Sequence, residues 1–121
     1  MDRVAITRGA TGAPYSPAIV CGDFVFTAGQ LGLSEGKLVM GFENEVRQAM
    51  ENLKSVIEAA GTSMDRIVKT TLYVLEISTF HTVNEIYKSY FPSEPPARTT
   101  VAVAALPFGG QFEIDAVALA K

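Results

Sequence analysis

The sequence predicts an α+β fold in which a mixed β-sheet carries two helices on one of its faces. The first observation is the order of elements, with three or four strands, a helix, a strand, a second helix and two final strands. The second is that residues 101–106 and 116–120 are apolar at odd and even positions alike. Strands of that kind are buried on both faces, whereas two helices cover only one face of a sheet. We therefore expect a symmetric homo-oligomer to cover the other face.

Length and composition indicate a single domain, residues 1–121, with little polar surface. Charged residues make up 19% of the chain, against about 25% in average proteins, which favours burial in an oligomer. No apolar run approaches the roughly 18 residues of a membrane-spanning helix, and the first residues do not resemble a secretory signal. We therefore expect no membrane partner and a cytoplasmic location.

The charge balance and the potential metal ligands argue against several classes of protein. The net charge of −3 provides no general basic field, so a nucleic acid partner is not expected. Cys21 and His81 are the single residues of their types, so we expect neither an intrachain disulfide nor a zinc-type metal site. Cys21 lies in an apolar run and is expected to be buried and inert. His81 has no evident catalytic partner.

Strands are predicted in the first third of the chain at residues 3–7, 18–21 and 24–28. A glycine-rich loop around Gly9 and Gly12 follows the first strand. The second and third strands flank Gly22 and Asp23, which predicts a two-residue hairpin with Gly22 at a positive φ. The glycines in residues 29–32 allow a bend or a close approach of the backbone to a ligand.

Apolar spacing predicts the two helices. The first has a single apolar stripe that consists of Phe42, Val46, Ala49, Met50, Leu53, Val56, Ile57 and Ala60. Glu43 and Glu45 lie off this stripe in the first turn, and Gly61 stands at the position of a C-terminal cap. The second helix carries Phe80, Val83, Tyr87, Tyr90 and Phe91 on one side. Its N-terminus is expected to be capped by Ser78 or Thr79.

Three strands are predicted in the remainder, at residues 67–75, 99–104 and 111–120. The first of them is rich in β-branched and aromatic residues, which indicates a central strand of the sheet. The other two are the doubly apolar segments that require a cover on both faces.

Arg98 is the candidate for binding a carboxylate. Glu94, Pro95 and Pro96 stiffen the chain before it, and Arg98 opens a strand that is expected to be buried. A guanidinium on a rigid element is suited to bidentate binding of a planar carboxylate, which a lysine does not reproduce. An ordinary ion pair at the surface or at an interface is the alternative explanation.

Glu113 and Asp115 lie two residues apart in a strand, so both point to the same face. One interpretation is an edge strand whose solvated carboxylates resist aggregation. The other is an acid beside a ligand, kept ionised by a partner such as Arg98. Tyr15 presents a similar choice, because an aromatic ring in its proline-containing loop either pins the loop to the protein or lines a ligand site.

Several ordered motifs run along the whole chain. They are Gly12-Ala13-Pro14-Tyr15-Ser16-Pro17-Ala18, Thr27-Ala28-Gly29-Gln30-Leu31, Asn52-Leu53, Glu58-Ala59-Ala60-Gly61, Ile67-Val68-Lys69-Thr70-Thr71, Phe80, Val83-Asn84-Glu85, Tyr87, Pro96-Ala97-Arg98-Thr99-Thr100-Val101, Leu106-Pro107 and Glu113-Ile114. The segment that contains Arg98 is the most specific of them. In these motifs the chain resembles the RidA/YjgF family of reactive-intermediate deaminases from end to end.

The resemblance implies a chorismate-mutase-like α+β fold that assembles as a homotrimer, with a ligand cleft at each subunit interface. It also implies the hydrolysis of enamines and imines, such as 2-aminoacrylate and 2-iminopropanoate, to 2-keto acids and ammonia. No cofactor is needed for this reaction, and the partner is a small carboxylate. Two other functions stay open. One is that of an endoribonuclease or translation inhibitor, and the other is that of a non-catalytic trimer that binds a small keto acid for regulation.

The resemblance assigns catalytic roles to two residues: Arg98 matches the clamp for the substrate carboxylate, and Glu113 matches the acid that helps to hold the attacking water. The mechanism that we expect adds Thr100, whose backbone carbonyl holds the same water. A cysteine is frequent in the family at the position of Thr100. The substitution is harmless if the carbonyl is the acting group, and it puts the activity in doubt if a thiol is needed.

The resemblance also indicates residues that bind the substrate without reacting. Tyr15 matches an aromatic residue that lines the cleft, and Gly29 lies at a strand end whose backbone faces the ligand. Asn84 matches a family asparagine in the same set. Ala28 replaces the serine that is typical of the family before Gly29, so any hydroxyl contact at that position is lost.

Overall fold

A computed structural model describes residues 2–7 and 12–121. The strands in these ranges are β1 (Arg3–Ile6), β2 (Ala18–Cys21), β3 (Phe24–Thr27), β4 (Gln30–Leu31), β5 (Leu33–Ser34), β6 (Lys37–Leu38), β7 (Ile67–Val74), β8 (Ala97–Ala102) and β9 (Phe112–Leu119). The helices are α1 (Phe42–Ala59) and α2 (Phe80–Tyr90). Neither of these two helices combines the length and the apolar character needed to cross a membrane. The loop expected around Gly9 falls partly on residues outside the described ranges.

The main sheet has the order β1-β2-β3-β9-β7-β8 in the described ranges, and β4 also pairs with β9. Its neighbouring strands are antiparallel, except that β7 and β8 are parallel. Helix α2 lies in the connection between these two parallel strands. The mixed sheet and the central position of the strand at residues 67–75, both expected from the sequence, are confirmed.

Alternation along β9 separates the two faces of the sheet. Its residues Phe112, Ile114, Ala116 and Ala118 are buried in the core under the helices. The other four residues of β9, Glu113, Asp115, Val117 and Leu119, point to the opposite side, here named the open face. Helix α1 packs on the core side of β9, and α2 is joined to the same side of β7 by a hydrogen bond between Tyr87 and Thr70. Both helices therefore cover one face, as predicted.

The open face carries a group of apolar side chains. Phe24 and Phe26 on β3 lie opposite Leu119 and Val117 on β9, and Phe26 is 47% exposed. Val101 on β8 is exposed as well. The chain itself thus covers one face of β9, whereas β8, the last strand of the sheet, has no buried residue on either face. The prediction that β8 is buried within one chain is therefore wrong, and the exposed surfaces are those that were expected to meet a second copy.

The predicted turn and cap glycines adopt the expected conformations. Gly22 has a φ of 60° in the hairpin that pairs Cys21 with Phe24. Gly61 has a φ of 88° and follows the last turn of α1, where it donates to the carbonyl of Glu58. Both positions need a left-handed backbone that side chains with a β-carbon disfavour.

Three local predictions need correction. The predicted cap of α2 by Ser78 or Thr79 is absent. Thr79 precedes the helix, but its hydroxyl donates to the Glu76 carbonyl, because residues 77–79 already form a 3₁₀ turn. The strand expected at residues 99–104 runs from Ala97 to Ala102, because pairing with β7 sets its limits. Cys21 is half-buried rather than buried, because it lies beside Phe24 on the exposed side of the hairpin.

Glu45 is a further correction, since it is buried although it lies off the predicted apolar stripe. Its Oε2 accepts hydrogen bonds from the backbone nitrogens of Gln111 and Phe112, at 2.5 Å and 3.1 Å. Its Oε1 accepts a bond from the side-chain amide of Gln111. A buried acceptor with several donors joins helix α1 to the start of β9, which positions the residues that follow on that strand.

Replacement of this carboxylate should destabilise the fold. We expect Glu45→Ala to lower the free energy of unfolding by about 2 kcal/mol, because two buried backbone N–H groups lose their acceptor. Glu43→Ala on the exposed side of the same turn serves as the control and should change it by less than about 0.5 kcal/mol. Urea denaturation at a fixed protein concentration measures both. Equal effects of the two substitutions would contradict the role of Glu45.

Candidate active site

Arg98 lies on β8 and points to the helix-covered side of the sheet. Its partner in the strand register is Thr70 of β7, which is fully buried beneath the helices. The Cζ atom of Arg98 lies 5.1 Å from the centre of the Phe80 ring and 4.9 Å from the centre of the Tyr87 ring. No carboxylate in the described part of the chain lies within ion-pair distance of Arg98. An ion pair within these residues therefore does not explain this arginine.

Thr100 and Asn84 lie on the same side of β8 as Arg98. Thr100 follows Arg98 by two residues in the strand, and Asn84 lies between Phe80 and Tyr87 on one side of α2. The Thr100 Oγ1 and Asn84 Oδ1 atoms are buried, and neither has a hydrogen-bond partner among the residues that the structure describes. Such atoms are uncommon in folded proteins, and a functional role is one of their explanations.

Glu113 lies on the open face, with its carboxylate directly over Gly29. A β-carbon at Gly29 would overlap the Oε2 atom of Glu113, so the close approach requires a glycine. The loop that contains Tyr15 adjoins this place, because the Ala28 nitrogen donates to the Pro17 carbonyl at 2.8 Å. The structure therefore brings Glu113 and Gly29 together and sets the Tyr15 loop next to them.

Tyr15 itself is 66% exposed. With the rest of its loop and with Arg3 and Thr7 it borders an open depression. An aromatic ring that pins a loop to the protein is normally buried against it. The exposed ring of Tyr15 therefore favours the other interpretation, a side chain that contacts a ligand or a second chain.

Two neighbouring carboxyl groups determine the electrostatics of the open face. Burial raises the pKa of Glu113, and the nearby charge of Asp115 raises it further. Asp115 accepts a hydrogen bond of 2.8 Å from the Tyr73 hydroxyl, and burial together with this bond raises the pKa of Tyr73 to about 12. A carboxyl whose pKa is raised toward neutrality is suited to exchange protons with water or with a substrate.

The structure bears on both interpretations of Glu113 and Asp115. The edge-strand interpretation fails because β9 lies between β3 and β7. The interpretation that Arg98 keeps Glu113 ionised fails within one chain, because the two side chains point to opposite faces of the sheet with β7 between their strands. The predicted site residues therefore form two groups. The clamp group consists of Arg98, Thr100 and Asn84, and the acid group consists of Glu113, Gly29 and Tyr15.

No site role was predicted for Phe80, Tyr87 or Thr70. The two aromatic residues were assigned to the apolar side of the second helix. The only available signal was their spacing of seven residues, with Asn84 between them, which places the three on one side of a helix. That this side meets Arg98 depends on the crossover from β7 to β8, which spacing alone does not reveal.

The close approach at Gly29 leads to a prediction. We expect Gly29→Ala to lower kcat/KM for the imine hydrolysis that the motifs predict by roughly tenfold to a hundredfold. The reason is that the added β-carbon displaces the Glu113 carboxylate. Thermal stability should hardly change, since the displaced group is the end of a flexible side chain. Gly32→Ala is the contrasting variant, because its β-carbon would overlap the backbone oxygen of Glu45 and should lower the unfolding temperature. Loss of stability without loss of activity in Gly29→Ala would contradict this role.

The fold and the two groups define a class of protein. It is a small α+β domain with an arginine that has no ion-pair partner in the described residues on one side of the sheet, and a carboxyl group on the other face. The described ranges contain no cluster of three or more His, Cys, Asp or Glu side chains that could hold a metal ion. Such a class is suited to bind small anionic ligands.

The chain is similar in sequence and structure to known proteins. A family model described as endoribonuclease L-PSP matches residues 6–120. The human protein named 2-iminobutanoate/2-iminopropanoate deaminase is 45% identical, over 97% of this chain and 89% of its own length. The crystal structure of YyfA from Yersinia pestis, a protein of the Rid family, has a TM-score of 0.92 and 38% identity, covering 98% of this chain and 99% of that one. E. coli TdcF, crystallised with bound serine, has a TM-score of 0.85 and 33% identity, covering 90% of each chain.

The chain therefore belongs to the RidA/YjgF family. The resemblance that the sequence motifs indicated is confirmed, and so is the predicted α+β fold.

Proposed function

We propose that this protein is a cytoplasmic enamine/imine deaminase that acts on small 2-imino acids such as 2-iminopropanoate. The observation that carries the proposal is the guanidinium of Arg98, which is held beside two aromatic rings and faces no carboxylate in the described residues. A planar cation of this kind binds a carboxylate through two parallel hydrogen bonds. The deaminase names of several relatives, including the human protein at 45% identity, support the same reaction.

The proposed reaction needs water as the only second reactant. The enamine tautomerises to the imine, and Arg98 fixes the carboxylate of the imine. A water molecule held by Glu113 and the backbone carbonyl of Thr100 then bonds to C2 and gives a carbinolamine. The C–N bond breaks, the two water hydrogens leave with the nitrogen as ammonia, and the 2-keto acid remains. An imine carbon is already electrophilic, so positioning and charge complementarity supply most of the acceleration.

The catalytic assembly in this proposal is a homotrimer with sites between subunits. The separation of the clamp group from the acid group supports it, because a site that uses both groups needs two copies of the chain. The apolar open face around Phe24, Phe26 and Val117 supports it as well, since such a surface is normally covered. A contact between two different surfaces is heterologous and forms a ring when its rotation closes, which fits a trimer better than an isologous dimer.

Tyr15, Gly29 and Asn84 complete the site in this proposal. Tyr15 covers the ligand from the acid group, Gly29 approaches it with its backbone, and Asn84 supplies a polar group next to Arg98. The buried Asn84 Oδ1 atom without a partner in the described residues supports its inclusion.

Keto-acid release in a coupled assay tests the proposal. A serine/threonine dehydratase generates 2-aminoacrylate from serine, and lactate dehydrogenase reports pyruvate. We expect this protein to accelerate the early appearance of pyruvate in proportion to its concentration. No acceleration at a concentration that matches the dehydratase would contradict the proposal.

A second candidate function follows from the description of the matching family model as an endoribonuclease. The net charge of −3 disfavours it, because RNA binding relies on a positive surface. Incubation with labelled RNA distinguishes the two functions, since a deaminase leaves the RNA intact. A non-catalytic ligand-binding trimer would instead bind pyruvate saturably and give no acceleration in the coupled assay.

A further inference from the structure

We infer that Phe80 and Tyr87 form an aromatic seat that positions the guanidinium of Arg98 before the substrate arrives. The inference rests on the proposed function, because it assumes that Arg98 binds the substrate carboxylate. The seat consists of the two rings of α2 that lie near Arg98, together with Thr70 beneath them. These residues are positioning residues, since they act on the substrate through Arg98.

The contacts of Arg98 support the seat. Its Cζ atom lies 5.1 Å from the Phe80 ring centre and 4.9 Å from the Tyr87 ring centre, within the range of cation–π attraction. Rings attract a guanidinium through its flat face, while its five N–H donors lie along its edge. The seat therefore holds the cation and leaves the edge of Arg98 for the two oxygens of a carboxylate.

The Tyr87 side of the seat is rigid. Tyr87 is 5% exposed, and its hydroxyl is hydrogen-bonded at 2.7 Å to Oγ1 of Thr70, which is fully buried. Phe91 packs against the same ring, with the two ring centres 4.8 Å apart. Because Thr70 is the strand partner of Arg98, this bond fixes the helix to the sheet at the level of the arginine.

The Phe80 side of the seat is open. Phe80 begins α2 and is 41% exposed, so its ring is accessible at the border of the clamp group. An arginine side chain loses much rotational freedom when it is held in one place. If the seat has already restricted Arg98, the substrate does not bear that cost on binding, and its affinity rises.

Fluorination of Phe80 tests the electrostatic part of this inference. Phenylalanine with one, two or three ring fluorines keeps the size of the ring but weakens the attraction of its face for a cation. Calorimetric titration with pyruvate, a stable product of the proposed reaction, measures the clamp without turnover. We expect the Kd of pyruvate to rise stepwise, to about fivefold for the trifluorinated ring, with an unchanged unfolding temperature. In the Arg98→Lys background, the series should have a smaller effect.

Removal of the Tyr87 hydroxyl tests whether its hydrogen bond to Thr70 holds the seat in place. Tyr87→Phe keeps the ring but loses the bond to Thr70, and we expect the Kd of pyruvate to rise about threefold. Tyr90→Phe is the matched control on the same helix, because it removes a hydroxyl that bonds to Glu51 away from Arg98, and it should leave the Kd unchanged. Thr70→Val should reproduce the effect of Tyr87→Phe.

The outcomes separate this inference from the proposed function. If Arg98→Ala abolishes pyruvate binding while the fluorinated series and Tyr87→Phe leave the Kd unchanged, the seat is wrong and the carboxylate clamp stands. If Arg98→Ala leaves pyruvate binding intact, the clamp is wrong and the seat fails with it. A graded rise in Kd that requires Arg98 supports the seat.

Discussion

Replacement of Arg98 should abolish most of the keto-acid release that we expect from the wild-type protein. For Arg98→Ala we expect a loss in kcat/KM on the order of 10³-fold, because the charged, bidentate anchor of the substrate is removed. For Arg98→Lys we expect a loss of about a hundredfold, because a lysine keeps the charge but reproduces neither the fork of donors nor its place against the two rings. The coupled dehydratase assay measures both.

A matched substitution separates this effect from that of an arginine-to-lysine exchange elsewhere on the surface. Arg47→Lys changes an exposed arginine on α1, and it should leave both activity and unfolding temperature unchanged. The unfolding temperature of Arg98→Lys should also stay close to that of the wild type, which excludes unfolding as the cause. Full activity of Arg98→Lys would contradict the carboxylate clamp.

Mixed assemblies of two inactive variants should regain activity. Arg98→Ala destroys the clamp group and leaves the acid group intact, whereas Glu113→Gln does the reverse. If each site joins the clamp group of one subunit to the acid group of its neighbour, a trimer that contains both variants has one intact site. With random assembly from equal amounts, about three quarters of the trimers are mixed, so about a quarter of the wild-type activity returns in the whole preparation and about a third in the isolated mixed trimers.

The physical reason for this expectation is the position of the two side chains in the sheet. Arg98 lies on the helix-covered side of β8 and Glu113 on the open face of β9, with β7 between them. Co-expression of the two variants with different affinity tags, followed by tandem purification, isolates the mixed trimers for the assay. Each variant carried alone through the same procedure is the control. Mixed trimers with no more activity than the two parents would contradict a site that is shared between neighbouring subunits.

The residue pattern predicted much of the fold. The apolar stripe from Phe42 gave the first helix, Gly22 and Gly61 marked a hairpin and a helix end, and the β-branched run after Ile67 marked a central strand. These features depend on periodicity and on backbone conformation, which are local properties of the chain. The motifs around Arg98 also gave the family, which the comparisons confirm.

Tertiary structure overruled local signals at other positions. Glu45 lies off the apolar stripe but is buried, because backbone donors at the start of β9 meet it there. The hydroxyl of Thr79 turns away from α2, because a 3₁₀ turn precedes the helix. The limits of β8 follow from its pairing with β7 rather than from its own composition. Each of these depends on a partner that is remote in sequence or on a turn that spacing does not encode.

By itself, the sequence determined the α+β fold class, the family and the identity of Arg98 and Glu113 as candidate site residues. Only the tertiary structure decided that these two side chains lie on opposite faces of one sheet, and that Phe80 and Tyr87 stand against Arg98. The reason is that the alternation of a strand shows which of its residues share a face but not which face that is. The face is set when strands pair and helices pack, through contacts between residues far apart in the chain.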